Sequence, residues 1–171
     1  MTPLGILRQL IKGITQNTTP NQIAGGAAMG MLIGLMPKAN LTTQILLIML
    51  MIFRTNVSVA LAMAAVFSLL QPVGNLLAHP IGYKLLAQTP FLYGFWTRLY
   101  NTPVFPWTAF NNTLLLGNLI IGLVLFVPAF IVAKKLALLY ETSFKEKVAQ
   151  SRFAKALKSS WLVDWYFKVT G

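Results

Sequence analysis

Residues 19–56 read TPNQIAGGAAMGMLIGLMPKANLTTQILLIMLMIFRTN. Thr19-Pro20 is an N-cap followed by proline at the first helical position. The helix it opens passes through Ala24, Ala28, Leu32 and Leu35 and stops at Pro37. That arm offers about 16 residues where a perpendicular membrane span needs about 20. The next apolar run, Leu41 to Phe53, is shorter still and ends at Arg54-Thr55-Asn56. Two short apolar helices around Pro37-Lys38-Ala39-Asn40 predict a helical hairpin over 20–54, which either re-enters the bilayer or spans by thinning it. Non-helical backbone within a membrane must face protein or water, so the turn is expected against a cavity, a partner or the interface.

The surroundings of this stretch are just as apolar. Of 171 residues, 56% are hydrophobic and 10% charged, with a mean hydropathy of +0.67; soluble domains carry roughly a quarter charged residues. The only acids are Glu141, Glu146 and Asp164, so the first 140 residues contain no carboxylate, only scattered Lys and Arg. An embedded part of this composition can hold an anion but has no acid to bind a cation or relay a proton. The net charge of +11 would suit nucleic acid, but the basic residues border apolar runs or fill one tail and no nucleic-acid motif is present. Anionic lipid headgroups are the better partner for a basic margin of this kind. With no cysteine, disulfides, thiol nucleophiles and Cys-based metal sites are excluded.

Outward from the hairpin, the expected fold is an all-α, polytopic integral membrane protein. It has short broken or re-entrant helices, one clean C-terminal transmembrane helix and amphipathic interfacial helices at both ends. Residues 1–18 form the first interfacial helix, with Leu4, Leu7, Leu10, Ile11 and Ile14 on one side of Arg8 and Lys12. The membrane domain covers 19–135. After the hairpin it has a broken segment over 57–80, interrupted at Gln71-Pro72-Val73-Gly74-Asn75 and at His79-Pro80. An aromatic outer loop follows over 81–111, then a transmembrane helix over 112–133 closed by Lys134-Lys135. The tail, 136–171, is basic and amphipathic, with Phe153, Leu157, Trp161 and Trp165 repeating every four residues. Lys and Arg accumulate on the cytoplasmic side, which places both termini inside and the aromatic loop outside.

Candidate site residues are those that a membrane protein has reason to place carefully. Gly26, Gly30 and Gly34 recur every four residues on one helical face. They serve either ordinary helix packing or a smooth groove for an acyl chain or partner helix. Lys38 stands at the hairpin turn between Pro37 and Asn40, with Gln44 nearby. A cation at membrane depth is costly and often functional, or it snorkels to the headgroups; both readings bring it near lipid phosphate. Asn56, Gln71 and Asn75 either bond between helices or line a polar path. Lys84 and Arg98 are the only charges of the aromatic segment and suit phosphate. His79 is the only histidine, and without Cys or nearby acids it makes a poor metal site; no cofactor or metal is expected. No carboxylate is available to orient it for nucleophilic catalysis either, so a non-enzymatic protein is expected.

Thr19-Pro-Asn-Gln-Ile-Ala-Gly-Gly-Ala-Ala-Met-Gly-Met-Leu-Ile-Gly-Leu-Met-Pro37, then Asn40-Leu-Thr-Thr-Gln44, then Arg54-Thr-Asn56, resembles a bacterial inner-membrane family known as a domain of unknown function, number twenty sixty-two. Gly30, Gly34, Pro37 and Asn56 carry the resemblance best. Lys38-Ala39-Asn40 departs from the apolar-x-Gly usual at that place. The resemblance implies a membrane protein often encoded beside a large periplasmic protein of the AsmA-like, bridge-forming type, which carries phospholipid between the inner and outer membranes.

Two functional readings follow. In one, the chain anchors a periplasmic AsmA-like lipid-transfer bridge and delivers phospholipid to it. In the other, it is a small transporter or channel for an anionic or neutral solute. That second reading is built on the loosely echoed interruptions Gly34…Pro37…Asn40 and Pro72…Gly74…Asn75, since paired broken helices mark binding sites in transporters.

Overall fold

The computed structural model describes residues 18–140, and among them every regular element is helical. The expected interfacial helix over 1–18 and the basic tail over 136–171 lie almost wholly outside the described residues. We label the helices α1 (Pro20–Leu35), α2 (Leu41–Ile52), α3 (Val57–Ala87), α4 (Tyr93–Tyr100) and α5 (Thr113–Leu139). Short 3₁₀ turns at Pro90–Leu92 and Phe105–Thr108 flank α4.

Each main helix starts where a neutral side chain can take up its free amide groups. Thr19 and Gln22 form a reciprocal capping box on α1, with Pro20 in the first turn. Asn40 accepts from the Thr43 amide at the head of α2, and Asn56 from the Val59 amide at the head of α3. Asn112 accepts from the amides of Leu114 and Leu115 at the head of α5. Carboxylates would also suit helix N-termini, but amides and hydroxyls do so without placing a charge among apolar neighbours.

The 16-residue α1 is the centre of the molecule: every residue from Ala24 to Leu35 is buried. Its glycines face α3. A Cβ on Gly26 would strike the Asn56 carbonyl, one on Gly30 the Ala60 carbonyl, and one on Gly34 the Ala64 carbonyl and Phe67 Cβ at 2.8 and 2.6 Å. Rising numbers meet rising numbers, so α1 and α3 run parallel and α2 returns between them. The Asn56 amide donates to the Gln22 carbonyl (3.0 Å), tying the two starts together. Ser68 Oγ reaches the Gly34 carbonyl, and Gly74 lies beside Leu35. The turn after α1 is therefore level with the middle of the 31-residue α3.

Beyond that turn α3 is held by α5 instead. Gly82 packs on Thr113 backbone and Gly117 on Ala78 backbone, while Gly122 receives Leu32 of α1. Here rising numbers meet falling ones, so α5 is antiparallel to α3. Met29, Leu32, Met36, Leu46, Leu50 and Leu115 join in one core cluster, with Phe67, Phe126 and Ala129 against it. This compact unit extends to Lys134; α5 itself continues as helix to Leu139.

Four expectations are corrected. The segment 57–80 is not broken: α3 runs without interruption through Pro72 and Pro80. Proline removes a backbone donor and would end an isolated helix, but packing on α5 through Asn75, Ala78 and Gly82 keeps the chain helical on both sides. The span 81–111 is not one loop, since it holds the last turns of α3 and all of α4. The final helix does not end at residue 133. Finally, two helices rather than one are long and apolar enough to cross a membrane, α3 and α5, with hydropathies of 1.8 and 2.6 over their most apolar stretches. Only 6% of that stretch of α3 and 28% of that of α5 is buried.

Two outcomes follow from this packing. Gly30→Leu or Gly117→Leu should forfeit the fold, because each new side chain meets a backbone carbonyl that cannot yield, whereas Gly94→Ala, with open space around it, should leave thermal unfolding in detergent unchanged or slightly raised. Ala109 sits at φ 58° in the left-handed region, so Ala109→Gly should stabilise the protein by about 1 kcal/mol in the same measurement.

Candidate functional site

The hairpin turn gathers most of the polar chemistry. Helix α1 ends among apolar neighbours, and its last carbonyls have no partner within the helix. Lys38, two residues past the C-cap, folds back over them. Its Nζ donates to the carbonyls of Ile33 (2.8 Å), Gly34 (2.9 Å) and Met36 (2.9 Å). An ammonium has three donors, and all three are used. Its charge also stands at the negative end of the helix dipole. Asn40 Nδ2 and Thr43 Oγ1 (2.6 Å) both donate to the Pro37 carbonyl. The turn is thus closed by its own side chains. Lys38 itself remains exposed, and carbonyls solvate its charge without cancelling it.

A strap lies over this turn. The stretch between α4 and α5 dips back so that the Thr108 carbonyl accepts from Thr42 Oγ1 (2.8 Å), and Ala109 and Phe110 pack against the core. Phe105 and Phe110 stack with ring centres 5.6 Å apart. Positive φ at Val104 (73°) and Ala109 (58°) gives the strap its two sharp bends. Nothing local in the sequence signals the Thr42–Thr108 bond, which joins residues 66 apart.

The remaining predicted residues separate. Gly26, Gly30 and Gly34 are filled by α3 and leave no groove for a chain or partner helix; they serve packing. Asn56 is a buried cap. Gln44 is exposed on α2 and Gln71 half-buried on α3. Asn75 does bond between helices: its Oδ1 accepts from Asn118 Nδ2 at 2.7 Å. Sequence reasoning missed Asn118, although it is the one amide inside the apolar run of α5 and that signal was available. Asn118 is fully buried and its Oδ1 has no partner. His79 Nδ1 lies 2.9 Å from Thr113 Oγ1, and its ring stacks on Tyr83. Lys84 and Arg98 are exposed, and Lys84 lies thirteen residues (84 − 71) beyond Gln71 on α3, a rise of about 20 Å. They do not join Lys38 in one site.

Around α4 lies a second feature. Trp96 Nε1 donates to the Leu85 carbonyl (3.2 Å) and Tyr93 OH to the Ala87 carbonyl (2.6 Å), fastening α4 across the end of α3. Leu86, Trp96, Tyr100 and Phe105 line a shallow cleft of about 220 Å³. Phe91 (83% exposed) and Phe95 (52%) turn outward beside Arg98. Among the described residues no group of three or more His, Cys, Asp or Glu side chains is positioned to hold a metal ion.

Comparison with known proteins agrees with this architecture in extent. A protein from Treponema pallidum (strain Nichols), described as uncharacterized, is 24% identical over 142 residues, covering 83% of this chain and 87% of its own length. No solved structure matches the chain. The profile of a family described as uncharacterized proteins conserved in bacteria, DUF2062, matches residues 6–145, a range that holds the hairpin, α3, the strap and α5 together. The chain belongs to this family.

Proposed function

We propose that this protein is a polytopic, non-enzymatic subunit of the bacterial inner membrane that anchors a periplasmic AsmA-like lipid-transfer protein and hands anionic phospholipid to it. The observation that carries the membrane reading is the outward apolar surface of the two long helices. Beyond a core of Met, Leu and Ile side chains, a second set of large apolar residues, among them Leu69 (82% exposed), Met51 (79%) and Leu76 (74%), faces outward. Water would make such a surface costly, at roughly 25 cal/mol per Å², and hydrocarbon chains would not.

In this reading α3 and α5 cross the bilayer and the α1–α2 hairpin re-enters. At 1.5 Å per residue the 16 residues of α1 reach about 24 Å, short of a hydrocarbon core of about 30 Å. Because α1 and α3 start on the same side, the hairpin adds no crossing. Arg54 before α3 and Lys134-Lys135 near the end of α5 then share the cytoplasmic side. The opposite, periplasmic side carries α4 with its outward Phe91, Phe95 and Arg98. Aromatic rings with a guanidinium are common anchors of protein interfaces, and this patch is where the partner would dock. The assignment of an AsmA-like partner rests on the family resemblance. The transporter reading began from two echoed breaks, and the second of these is continuous helix in α3.

Purification in mild detergent should bring down a large periplasmic protein together with phospholipid. Replacing Phe91 and Phe95 by Ser should reduce partner recovery at least several-fold without lowering thermal stability, since both rings are exposed. A strain lacking this gene and redundant lipid-transfer systems should lose outer-membrane integrity; an unchanged phospholipid distribution there, or recovery of the protein with no partner, would count decisively against the proposal.

A further inference from the structure

Ser68, Gln71, Asn75 and His79 recur at intervals of three and four, so they share one face of α3. The other faces of the same stretch are apolar and outward, with Leu69, Leu70, Val73 and Leu76 exposed. Polarity in this part of the helix is therefore confined to one strip. Three of its four members are held by neighbours. Ser68 Oγ shares the Gly34 carbonyl with Lys38 Nζ, at 3.3 and 2.9 Å. Asn75 is held by Asn118, and His79 by Thr113. Gln71, between them, is half-buried and makes no side-chain hydrogen bond among the described residues. Asn118 Oδ1, fully buried beside Asn75, has no partner. The Asn118 acceptor, on α5 opposite the strip, is thus left unused among apolar neighbours, which is costly unless water or a ligand meets it, and half-buried Gln71 has an amide free to share that water or ligand.

The strip has a direction. It starts at exposed His79, toward the end of α3 that carries α4, and ends at Lys38. Below Lys38 there is no way on, because Gly34 sits against the Ala64 carbonyl and Phe67. We propose that this strip is a hydrated recess, open on the α4 side and floored by Lys38, that receives a phosphate-bearing group. This rests on the membrane reading above. The charge at the floor is positive and no carboxylate occurs in the first 140 residues to oppose it. The walls are amides, a hydroxyl and an imidazole, which bond phosphate and glycerol oxygens without adding charge. A closed floor makes the recess a binding site, not a through-channel. A phosphate oxygen entering it competes with the Met36 carbonyl, which lies beyond the helix, for one Lys38 donor.

The chain has no cysteine, so single cysteines report without background. The full protein in membranes is treated from the α4 side with impermeant methanethiosulfonates of either charge; a hydrated thiolate attacks the reagent's sulfur and displaces methanesulfinate to form a mixed disulfide. Gln71→Cys should react at least about tenfold faster than Leu69→Cys or Val73→Cys, and its anionic-to-cationic rate ratio should exceed that of Phe91→Cys by about tenfold. This ratio requires no change at Lys38; adding Lys38→Arg should preserve it and Lys38→Gln should abolish it. Dihexanoyl phosphatidylglycerol should slow the reaction, and glycerol phosphate at equal concentration does so equally only if the occupant is a free phosphate ester. A slow Gln71→Cys beside a fast Phe91→Cys overturns the recess and leaves the membrane reading standing. Equal charge preference at the two sites overturns the anion assignment. A Leu69→Cys as fast as Gln71→Cys overturns both the recess and the membrane reading.

Discussion

A helix that ends among apolar side chains must have its last carbonyls satisfied by its own chain, and the architecture here depends on how that is done. Lys38 folds back and gives two donors to carbonyls of α1 and the third to the C-cap Met36, while Asn40 and Thr43 close the Pro37 carbonyl and Asn40 caps α2. Without this turn the last carbonyls of α1 would be left without partners from the chain. With it, a 16-residue helix can stop halfway along a 31-residue one and be enclosed.

Enclosure then places demands on the rest. A fully buried α1 needs partners that approach to backbone contact, which α3 provides through Asn56, Ala60 and Ala64 opposite the three glycines. Once α1 stops, α3 needs a new neighbour, and Ala78 and Gly82 meet α5 at Gly117 and Thr113. One helix therefore carries two small-residue faces in succession, one for each partner. Large aliphatic side chains fill the core around Met36 and Leu115 and also cover the outer faces of the long helices, where Leu69 and Leu76 are exposed.

The same apolar packing sets where polar groups can lie. Buried polar side chains among the described residues are few: Asn40, Thr42 and Thr43 at the hairpin turn, Asn56 at the head of α3, and Asn118 on α5, where half-buried Asn75 meets it. At the far end of α3, α4 and the strap with its bends at Val104 and Ala109 carry the aromatic surface. The positive charge of Lys38, the neutral amides along α3 and the aromatic surface around α4 are the features on which the proposal of an anionic amphiphile and a docked partner rests.

Much of this was legible in the sequence. Thr19-Pro20, Pro37 and Asn40 mark the hairpin because cap and proline chemistry is local, and the unbroken apolar run after Thr113 marks α5 because helical hydropathy is additive along the chain. The family too could be recognised from Gly30, Gly34, Pro37 and Asn56. Tertiary structure alone decided that Pro72 and Pro80 do not break α3, since the packing that keeps it continuous comes from α5, some forty residues on. It also decided that the glycine face meets α3 and not a ligand, that Lys38 caps α1, and that Asn75 finds Asn118. Each of these depends on which surfaces are brought together, and a one-dimensional pattern records which faces are small or polar but not what lies opposite them.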